Sequence, residues 1–241
     1  MTLEETLEKI HPADKTAMEA ALAHWNNIAM PLHSLGRLQD TVVRIAGMTG
    51  NARVDLKKKA LVVMCADNGV VEEGVTQTGQ EVTAIVAENF LKYDTSVGVM
   101  CKQNHAEIFP VDMGMVTDTK VRTDHKIAYG TQNMTKGPAM TREQAVKGLE
   151  AGIDMVRELN DKGYRILATG EMGIGNTTTS SAVASVLLKQ PVEEMTGRGA
   201  GLTSEGLVRK INAIKKAIAL NEPDPELSLI HISEPTRRRG I

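Results

Sequence analysis

A short run of apolar residues constrains the fold of this chain more than any other feature. Residues 60–66, Ala-Leu-Val-Val-Met-Cys-Ala, include no polar side chain other than the thiol, and the run stops at the turn-forming sequence Asp67-Asn68-Gly69. Strands of a parallel sheet that are buried on both faces have this uniformly apolar composition. The run therefore predicts a buried strand of a parallel sheet.

Two further strand patterns alternate with amphipathic helix patterns. Strands are expected over 106–114 and 164–169, and helices over 81–101, from the N-cap Thr141 to just before Gly163, over 176–188 and over 204–220. Upstream, residues 14–48 predict two helices, one bearing Met18, Leu22 and Trp25 and the other bearing Leu38, Val42, Val43 and Ile45. This alternation predicts an α/β fold with a Rossmann-like parallel sheet flanked by helices.

Three turns are expected at the carboxyl ends of the predicted strands, where sheets of this kind bind ligands. They are Asp67-Asn68-Gly69, Asp112-Met113-Gly114 and residues 170–176, whereas residues 115–140 are polar and irregular. Any binding site is therefore expected at this edge of the sheet.

The composition is that of an ordinary globular protein. Hydrophobic residues make up 41% of the 241 residues, aromatic residues only 2%, and the formal net charge is −2. Scarce aromatics and the lack of a basic excess argue against nucleic-acid partners, and no apolar run approaches the roughly 20 residues that span a bilayer. Cys65 and Cys101 suggest neither a disulfide framework nor a metal site. We therefore expect a cytoplasmic protein that binds no membrane and needs no metal or cofactor.

The segment most informative about function is residues 170–181, Gly-Glu-Met-Gly-Ile-Gly-Asn-Thr-Thr-Thr-Ser-Ser, which joins the third predicted strand to the next helix. Its glycines allow the backbone to approach a ligand closely, and a helix N-terminus supplies N–H groups and a partial positive charge. The hydroxyl groups of residues 177–180 add further donors. The segment predicts a phosphate-binding turn; the alternative is an N-capped turn without a ligand.

The spacing within this turn favours a ligand with a single phosphate. Gly170 and Gly175 have the spacing of a P-loop, but Asn176 stands where the P-loop requires lysine. A dinucleotide-binding fingerprint requires a third glycine at the position of Thr178. A triphosphate or a pyrophosphate would therefore fit this turn less well than a monophosphate.

Three features near this turn are further candidates. Glu171 lies inside it, and because a carboxylate repels a phosphate, it should face a sugar hydroxyl, a developing positive charge or solvent. A second glycine-rich turn, residues 197–202, could enclose a sugar phosphate from the other side. Lys210 could reach an anion, although its spacing alone favours a solvated lysine.

The last residues, 227–241, do not continue the pattern of the preceding chain. Residues 227–237 resemble the in-frame translation of a transposon-type sequencing-library adapter, and such segments are excluded from fold reasoning. Under this interpretation the native sequence stops near Glu226 and the α/β domain is incomplete. The alternative is an ordinary short strand followed by a basic tail.

Residues 171–178, Glu-Met-Gly-Ile-Gly-Asn-Thr-Thr, are similar to the signature turn of the nicotinate-nucleotide–dimethylbenzimidazole phosphoribosyltransferases. Further segments agree with this family in the same order: Ser34–Leu38, Ala66–Val70, Glu81–Thr83, Val111–Gly114, Gly137–Met140 and Gly197–Leu202. The resemblance covers residues 20–226. The 171–178 turn is specific on its own, and the other segments are informative as an ordered set.

The resemblance implies a parallel α/β domain with a smaller helical domain built from both chain ends, in a homodimer. Residues 1–50 would belong to the small domain and 51–226 to the α/β nucleotide-binding domain. The implied reaction transfers phosphoribosyl from nicotinate mononucleotide to 5,6-dimethylbenzimidazole, giving α-ribazole 5′-phosphate and nicotinate for the lower ligand of cobalamin. The donor carries one phosphate and a pyridinium leaving group, so the reaction requires neither metal nor pyrophosphate.

The resemblance also assigns roles to particular residues of this chain. The family's nucleotide turn matches Glu171, Gly173, Gly175, Asn176, Thr177 and Thr178, its second loop matches Gly199, Ala200 and Gly201, and Lys210 matches a lysine near the phosphate. In the family the general base is a glutamate in a Leu-Gly-Glu-Gly type motif near the C-terminus, and this chain lacks that motif. Glu171 would therefore have a supporting catalytic role and not that of the base. The benzimidazole pocket should involve the segment after Gly74, where Thr78 and Val86 depart from the family's Ser and Gln.

Two other functions stay open at this point. A phosphate-ligand binding module that never had a catalytic base would share the same turn, and its gene would end near Ile241. A nucleotide hydrolase is disfavoured by Asn176 at the P-loop lysine position. For a transferase without its base, we expect weak mononucleotide binding and negligible turnover.

Overall fold

The three predicted strands form one parallel sheet. In the computed structural model, which describes residues 1–225, β1 (Lys59–Ala66), β2 (Ala106–Gly114) and β3 (Ile166–Met172) are hydrogen-bonded in the order β2-β1-β3. The central position of β1 agrees with its uniformly apolar sequence, because a central strand of such a sheet is covered on both faces. The α/β prediction is confirmed, and the expected adapter-derived tail, residues 227–241, lies outside the described residues.

Helices precede, connect and follow these strands. They are α1 (Leu3–Glu8), α2 (Lys15–Asn26), α3 (Arg37–Thr49), α4 (Glu81–Lys92), α5 (Ser96–Gln103), α6 (Arg142–Asp161), α7 (Asn176–Leu188), α8 (Val192–Met195) and α9 (Ser204–Asn221), with a 3-10 helix over Gly69–Glu73. The capping box predicted at Thr141 is present: its hydroxyl accepts the Gln144 N–H at 3.2 Å, and the Gln144 side chain accepts the Thr141 N–H at 2.9 Å. Within residues 1–225, no helix is long and apolar enough to cross a bilayer.

The chain divides into two compact units. The first consists of Met1–Lys59 with Ile153–Leu167, and the second of Ala60–Gly152 with the chain from Ala168 onward. The assignment of residues 1–50 to a small domain completed by the other chain end stays a prediction.

Small residues form the contact between α2 and α3 in the first unit. A Cβ on Gly47 would lie 2.6 Å from Cγ of Met18, so the two helices meet where a side chain is missing. Ala21 and Ala46 are buried, whereas Leu22 and Leu38 are 40% and 58% exposed. The prediction of these two helices is confirmed.

Two apolar cores lie in the second unit. One packs β1 residues such as Leu61 and Val63 against Ala87 and Phe90 of α4. The other surrounds Ile214 of α9 and includes residues of the 3-10 helix, α7 and α8. The second core fixes the helices α7 and α9 beside the carboxyl end of β1.

The single helix predicted over 81–101 is two helices. Tyr93 ends α4 with a left-handed φ of +61°, and Thr95 caps α5 by accepting the Gly98 N–H at 3.0 Å. The sequence Asp94-Thr95-Ser96 is rich in N-cap residues, and these favour a new helix start over continuation. The helix α4 buries Thr83, Ala84, Ala87 and Phe90, whereas Ile85 is 57% exposed.

The third strand is shifted along the sequence relative to the prediction of 164–169. It begins at Ile166 and continues to Met172, so Gly170 and Glu171 belong to β3 rather than to the turn after it. A Cβ on Gly170 would lie 3.2 Å from Cγ2 of Val63 on the neighbouring strand. Gly170 therefore serves the packing of the sheet, and the turn itself begins at Gly173.

Candidate anion-binding site

The turn between β3 and α7 passes directly over the end of β1. A Cβ on Gly173 would overlap the carbonyl oxygen of Ala66, so no other residue fits there without a backbone shift. Gly175 precedes α7 with a φ of +92°, in the left-handed region that favours glycine. The carbonyl of Gly173 accepts the Asn176 N–H at 3.1 Å and closes the turn. These two glycines place the N-terminus of α7 at the carboxyl edge of the sheet.

The first residues of α7 carry the hydroxyl groups predicted for phosphate binding. The Thr177 side chain accepts a hydrogen bond from Lys210 at 2.8 Å. Thr178 is completely buried, and its hydroxyl has no hydrogen-bond partner among the described residues. A buried hydroxyl without a hydrogen-bond partner is unfavourable. The Thr178 hydroxyl can therefore gain stability by bonding a ligand, a water molecule or a neighbour that moves slightly.

Glu171 and Asn176 form a direct contact across the turn. The Asn176 side-chain amide donates to Oε2 of Glu171 at 2.6 Å. Desolvation by the surrounding residues raises the pKa of the Glu171 carboxyl, and the hydrogen bond from Asn176 opposes that shift. The amide therefore orients the carboxyl group beside the mouth of α7 and partly offsets its desolvation.

Lys210 has a different environment from the solvated one that its spacing alone favoured. Its side chain is buried, with 1% of the residue exposed, and Nζ donates to Thr177 at 2.8 Å and to the carbonyl of Gly197 at 3.0 Å. Within residues 1–225 it forms no ion pair with a carboxylate, and burial lowers the pKa of its ammonium group. The solvated interpretation is wrong, and a buried cation beside a helix N-terminus makes a strong attractor for an anion.

The second glycine-rich loop lies against the first turn of α7. Gly199 has a φ of +60°, and a Cβ there would lie 2.9 Å from Oγ1 of Thr177 and 3.5 Å from Nζ of Lys210. Ala200 and Gly201 are exposed, and the Gly201 carbonyl accepts a hydrogen bond from the Gln77 side chain. The loop therefore joins the glycine turn before α7 to the segment that follows Gly74.

The carboxyl ends of β1 and β2 are organised by two buried aspartates. Asp67 accepts the Val116 N–H at 2.8 Å, and Asp112 accepts the Met115 N–H at 2.7 Å and pairs with Lys126 at 3.1 Å. Burial raises the pKa of Asp67, and hydrogen bonds from the Thr83 hydroxyl and the Val116 amide oppose that shift. Both carboxyl groups hold the irregular segment after β2 in place and are not directed to a ligand by these contacts.

An apolar cavity of about 310 Å³ lies beside the ends of β1 and β2. Met64, Met113, Ile127 and Met140 line it, together with polar groups such as the Gln144 side chain. Neither Thr78 nor Val86, the residues associated with the base pocket by resemblance, lines this cavity. This cavity therefore does not identify the base pocket, and the position of that pocket stays a prediction.

Sequence reasoning missed Asn68 and Thr83 as parts of the turn's framework. The Asn68 amide donates to the Ile174 carbonyl at 3.1 Å, and the Thr83 hydroxyl accepts the Ile174 N–H at 3.0 Å. Asn68 was recognised only as a turn residue and Thr83 only as part of a family segment. Thr83 is a polar residue spaced by four and seven positions from the apolar residues Ala87 and Phe90 of α4, which is a signal that could have indicated its role, whereas the sequence around Asn68 indicates only a turn.

Comparison with known proteins places this α/β architecture among the phosphoribosyltransferases. A family model described as Phosphoribosyltransferase matches residues 10–233, and the chain belongs to this family. The resemblance stated from the sequence is therefore confirmed.

Relatives with this architecture are named more specifically. The nicotinate-nucleotide–dimethylbenzimidazole phosphoribosyltransferases of Clostridium tetani (strain Massachusetts / E88) and of Ruminiclostridium cellulolyticum (strain ATCC 35319 / DSM 5812 / JCM 6584 / H10) are 46% and 48% identical over 226 and 227 residues. Each alignment covers 93% of this chain but only 62% and 64% of the relative. The chain thus spans less than two thirds of the length of these curated relatives.

A solved structure shares the fold. The crystal structure of CobT from Thermus thermophilus superposes with a TM-score of 0.76 at 34% sequence identity, over 90% of this chain and 66% of that one. The correspondence therefore extends beyond the sheet to nearly all of this chain.

Proposed function

We propose that this chain supplies the mononucleotide-binding part of an enzyme that transfers phosphoribosyl from nicotinate mononucleotide to 5,6-dimethylbenzimidazole. The names of its relatives, among them the Clostridium tetani protein, support this reaction. The observation that carries the proposal is the position of Lys210, a buried ammonium group bonded to Thr177 at the N-terminus of α7. One cation and one helix N-terminus suit the single phosphate of a mononucleotide.

The reaction itself forms one bond and breaks another at the same carbon. A ring nitrogen of the benzimidazole attacks C1′ of the ribose, the bond from C1′ to nicotinate breaks, and the benzimidazole loses a proton. Positive charge develops on the ribose in the transition state, and the Glu171 carboxylate, oriented by Asn176, would stabilise it. Glu171 thus has a supporting role, and no metal is needed because the pyridinium is already a good leaving group.

The sequence includes no Leu-Gly-Glu-Gly motif, which by resemblance would hold the general base. We therefore propose that the 241-residue chain binds the mononucleotide without appreciable turnover. The complete enzyme would act on its two small-molecule substrates as a homodimer.

Two measurements test this proposal. Calorimetric titration of the 241-residue chain should detect nicotinate mononucleotide and a much weaker interaction with nicotinate riboside, which lacks the phosphate. The full-length gene product, read from genomic DNA beyond codon 226, should convert nicotinate mononucleotide and 5,6-dimethylbenzimidazole to nicotinate and α-ribazole 5′-phosphate in equal amounts. Mononucleotide binding without product from the full-length protein would favour a non-catalytic phosphate-ligand module instead.

A further inference from the structure

Side chains from outside the turn hold the backbone on both sides of Ile174. Thr83, which is completely buried on α4, accepts the Ile174 N–H at 3.0 Å. Asn68, at the end of β1, donates its side-chain amide to the Ile174 carbonyl at 3.1 Å. Residues far apart in the sequence thus fix the middle of the anion-binding turn.

These contacts orient two successive peptide groups. The group between Gly173 and Ile174 is held at both ends, because its carbonyl accepts the Asn176 N–H at 3.1 Å while its N–H meets Thr83. The group between Ile174 and Gly175 is held at its oxygen by Asn68. Since this peptide is trans, the Gly175 N–H points away from Asn68, and none of the backbone hydrogen bonds of the described turns and loops uses it.

Asn68 is itself fixed by its surroundings. Its backbone carbonyl accepts a hydrogen bond from the Gln80 side chain at 3.1 Å, and the Thr179 hydroxyl lies 3.5 Å from its Oδ1. A side chain anchored in this way transmits its orientation to the group it contacts. The rigid end of β1 therefore controls the direction of the peptide group that precedes α7.

We propose that Asn68 and Thr83 are positioning residues that aim the Gly175 amide at the phosphate of the bound mononucleotide. The inference rests on the proposed function, because it assumes that a phosphate occupies the mouth of α7. If the inference holds, substituting either residue should weaken mononucleotide binding by more than its effect on the stability of the fold accounts for.

The test compares variants of the 241-residue chain by calorimetric titration with nicotinate mononucleotide, well below each melting temperature. Thr83→Val removes the acceptor of the Ile174 N–H, together with the hydroxyl beside Asp67, with little change in shape. We expect affinity to fall about tenfold. Thr83→Ser keeps the hydroxyl and should bind within about twofold of the unaltered chain. Asn68→Ala should also lose about tenfold, and hydrogen exchange at the Ile174 amide should accelerate in Thr83→Val and not in Thr83→Ser.

Thr135→Val is the matched control, because Thr135 is also a buried threonine with a hydrogen-bonded hydroxyl. That hydroxyl donates to the Glu73 side chain at 2.8 Å. It should lose stability and keep its affinity. Equal affinities of Thr83→Val, Asn68→Ala and the unaltered chain would overturn the inference and leave the proposed function intact. An unaltered chain that fails to bind the mononucleotide would overturn both.

Discussion

The ammonium group of Lys210 lies 2.8 Å from Oγ1 of Thr177, so α9 supplies a buried positive charge to the first turn of α7. The same Nζ lies 3.0 Å from the carbonyl of Gly197. Two neutral oxygen acceptors do not neutralise a desolvated cation, and a phosphate would. We expect this arrangement to cost stability in the ligand-free protein and to recover it when a phosphate binds.

The first prediction separates the effect of Lys210 on binding from its effect on stability. Lys210→Met removes a buried charge while keeping a flexible apolar side chain of similar length. We expect affinity for nicotinate mononucleotide to fall by at least about tenfold, because hydrogen bonds to charged groups contribute about 1.5–3 kcal/mol. The melting temperature of the ligand-free chain should be unchanged or higher. Calorimetric titration and thermal unfolding measure the two effects.

Lys215→Met is the control for this first prediction, since Lys215 is an exposed lysine on the same helix that pairs with Glu193. It should change neither property appreciably. A Lys210→Met chain that melts at a much lower temperature yet binds as tightly as before would show that Lys210 is structural and that the anion site lies elsewhere.

The second prediction concerns the closest approach between the turn and the sheet. Gly173→Ala places a methyl group onto the Ala66 carbonyl oxygen, so the backbone must move. We expect unfolding in urea to require about 1–3 kcal/mol less free energy, together with weaker mononucleotide binding. Gly197→Ala is the matched control, because a Cβ there meets nothing within 4 Å. Similar stabilities for the two variants would contradict the geometry of the turn.

Local sequence patterns gave most of the architecture in advance. The buried strand over 60–66, the limits of β2 and α7 and the capping box at Thr141 all follow from short-range rules, namely apolar runs, N-cap residues and glycine at helix ends. The glycine turn at 173–175 was likewise evident, because positive φ and close backbone approach leave few alternatives to glycine.

The errors arise where distant segments decide the outcome. For Lys210 the spacing alone favoured solvent and only the family resemblance placed it near a phosphate, since nothing near it in sequence indicates that Thr177 and Gly197 would enclose its ammonium group. Asn68 and Thr83 acquire their roles only through contacts with Ile174, roughly 100 residues away in the case of Asn68. The division of the helix at Tyr93 was predictable from Asp94-Thr95-Ser96, had capping been weighed against the apolar periodicity.

The third prediction is a pH dependence of stability that originates at Asp67. Burial raises the pKa of Asp67 above its ordinary value, so between the unfolded and folded pKa values the folded chain binds more protons than the unfolded chain. The penalty for holding the buried charge is complete above the folded pKa and disappears as the pH falls to the unfolded pKa. The unaltered chain should therefore gain stability relative to Asp67→Asn as the solution is acidified through that window.

Urea unfolding of both chains at a series of pH values measures this difference, and Asp161→Asn provides an exposed aspartate as a control. The difference between the Asp161→Asn chain and the unaltered chain should not follow the same trend. A stability difference for Asp67→Asn that is constant with pH, or that changes in the opposite direction, would show that Asp67 is not desolvated in the folded chain.

The fourth prediction uses the contact between Asn176 and Glu171. Asn176→Asp replaces the amide donor, 2.6 Å from Oε2 of Glu171, with a second carboxylate. Two carboxylates at this distance cannot both stay ionised, so the pair should take up one proton at a pH above that of an ordinary carboxyl group. Above that pH the two negative charges repel the phosphate, and below it the shared proton restores a hydrogen bond. We therefore expect weak mononucleotide binding at neutral pH that recovers as the pH is lowered, relative to the unaltered chain at each pH. Dividing the affinity of the variant by that of the unaltered chain at each pH cancels the effect of the ligand's own phosphate, which titrates near pH ~6. Asn176→Ala loses the donor without adding a charge, so at neutral pH it should weaken mononucleotide binding less than Asn176→Asp does. Equal affinities of the two variants at neutral pH would show that a charge at this position lies too far from the phosphate to influence it.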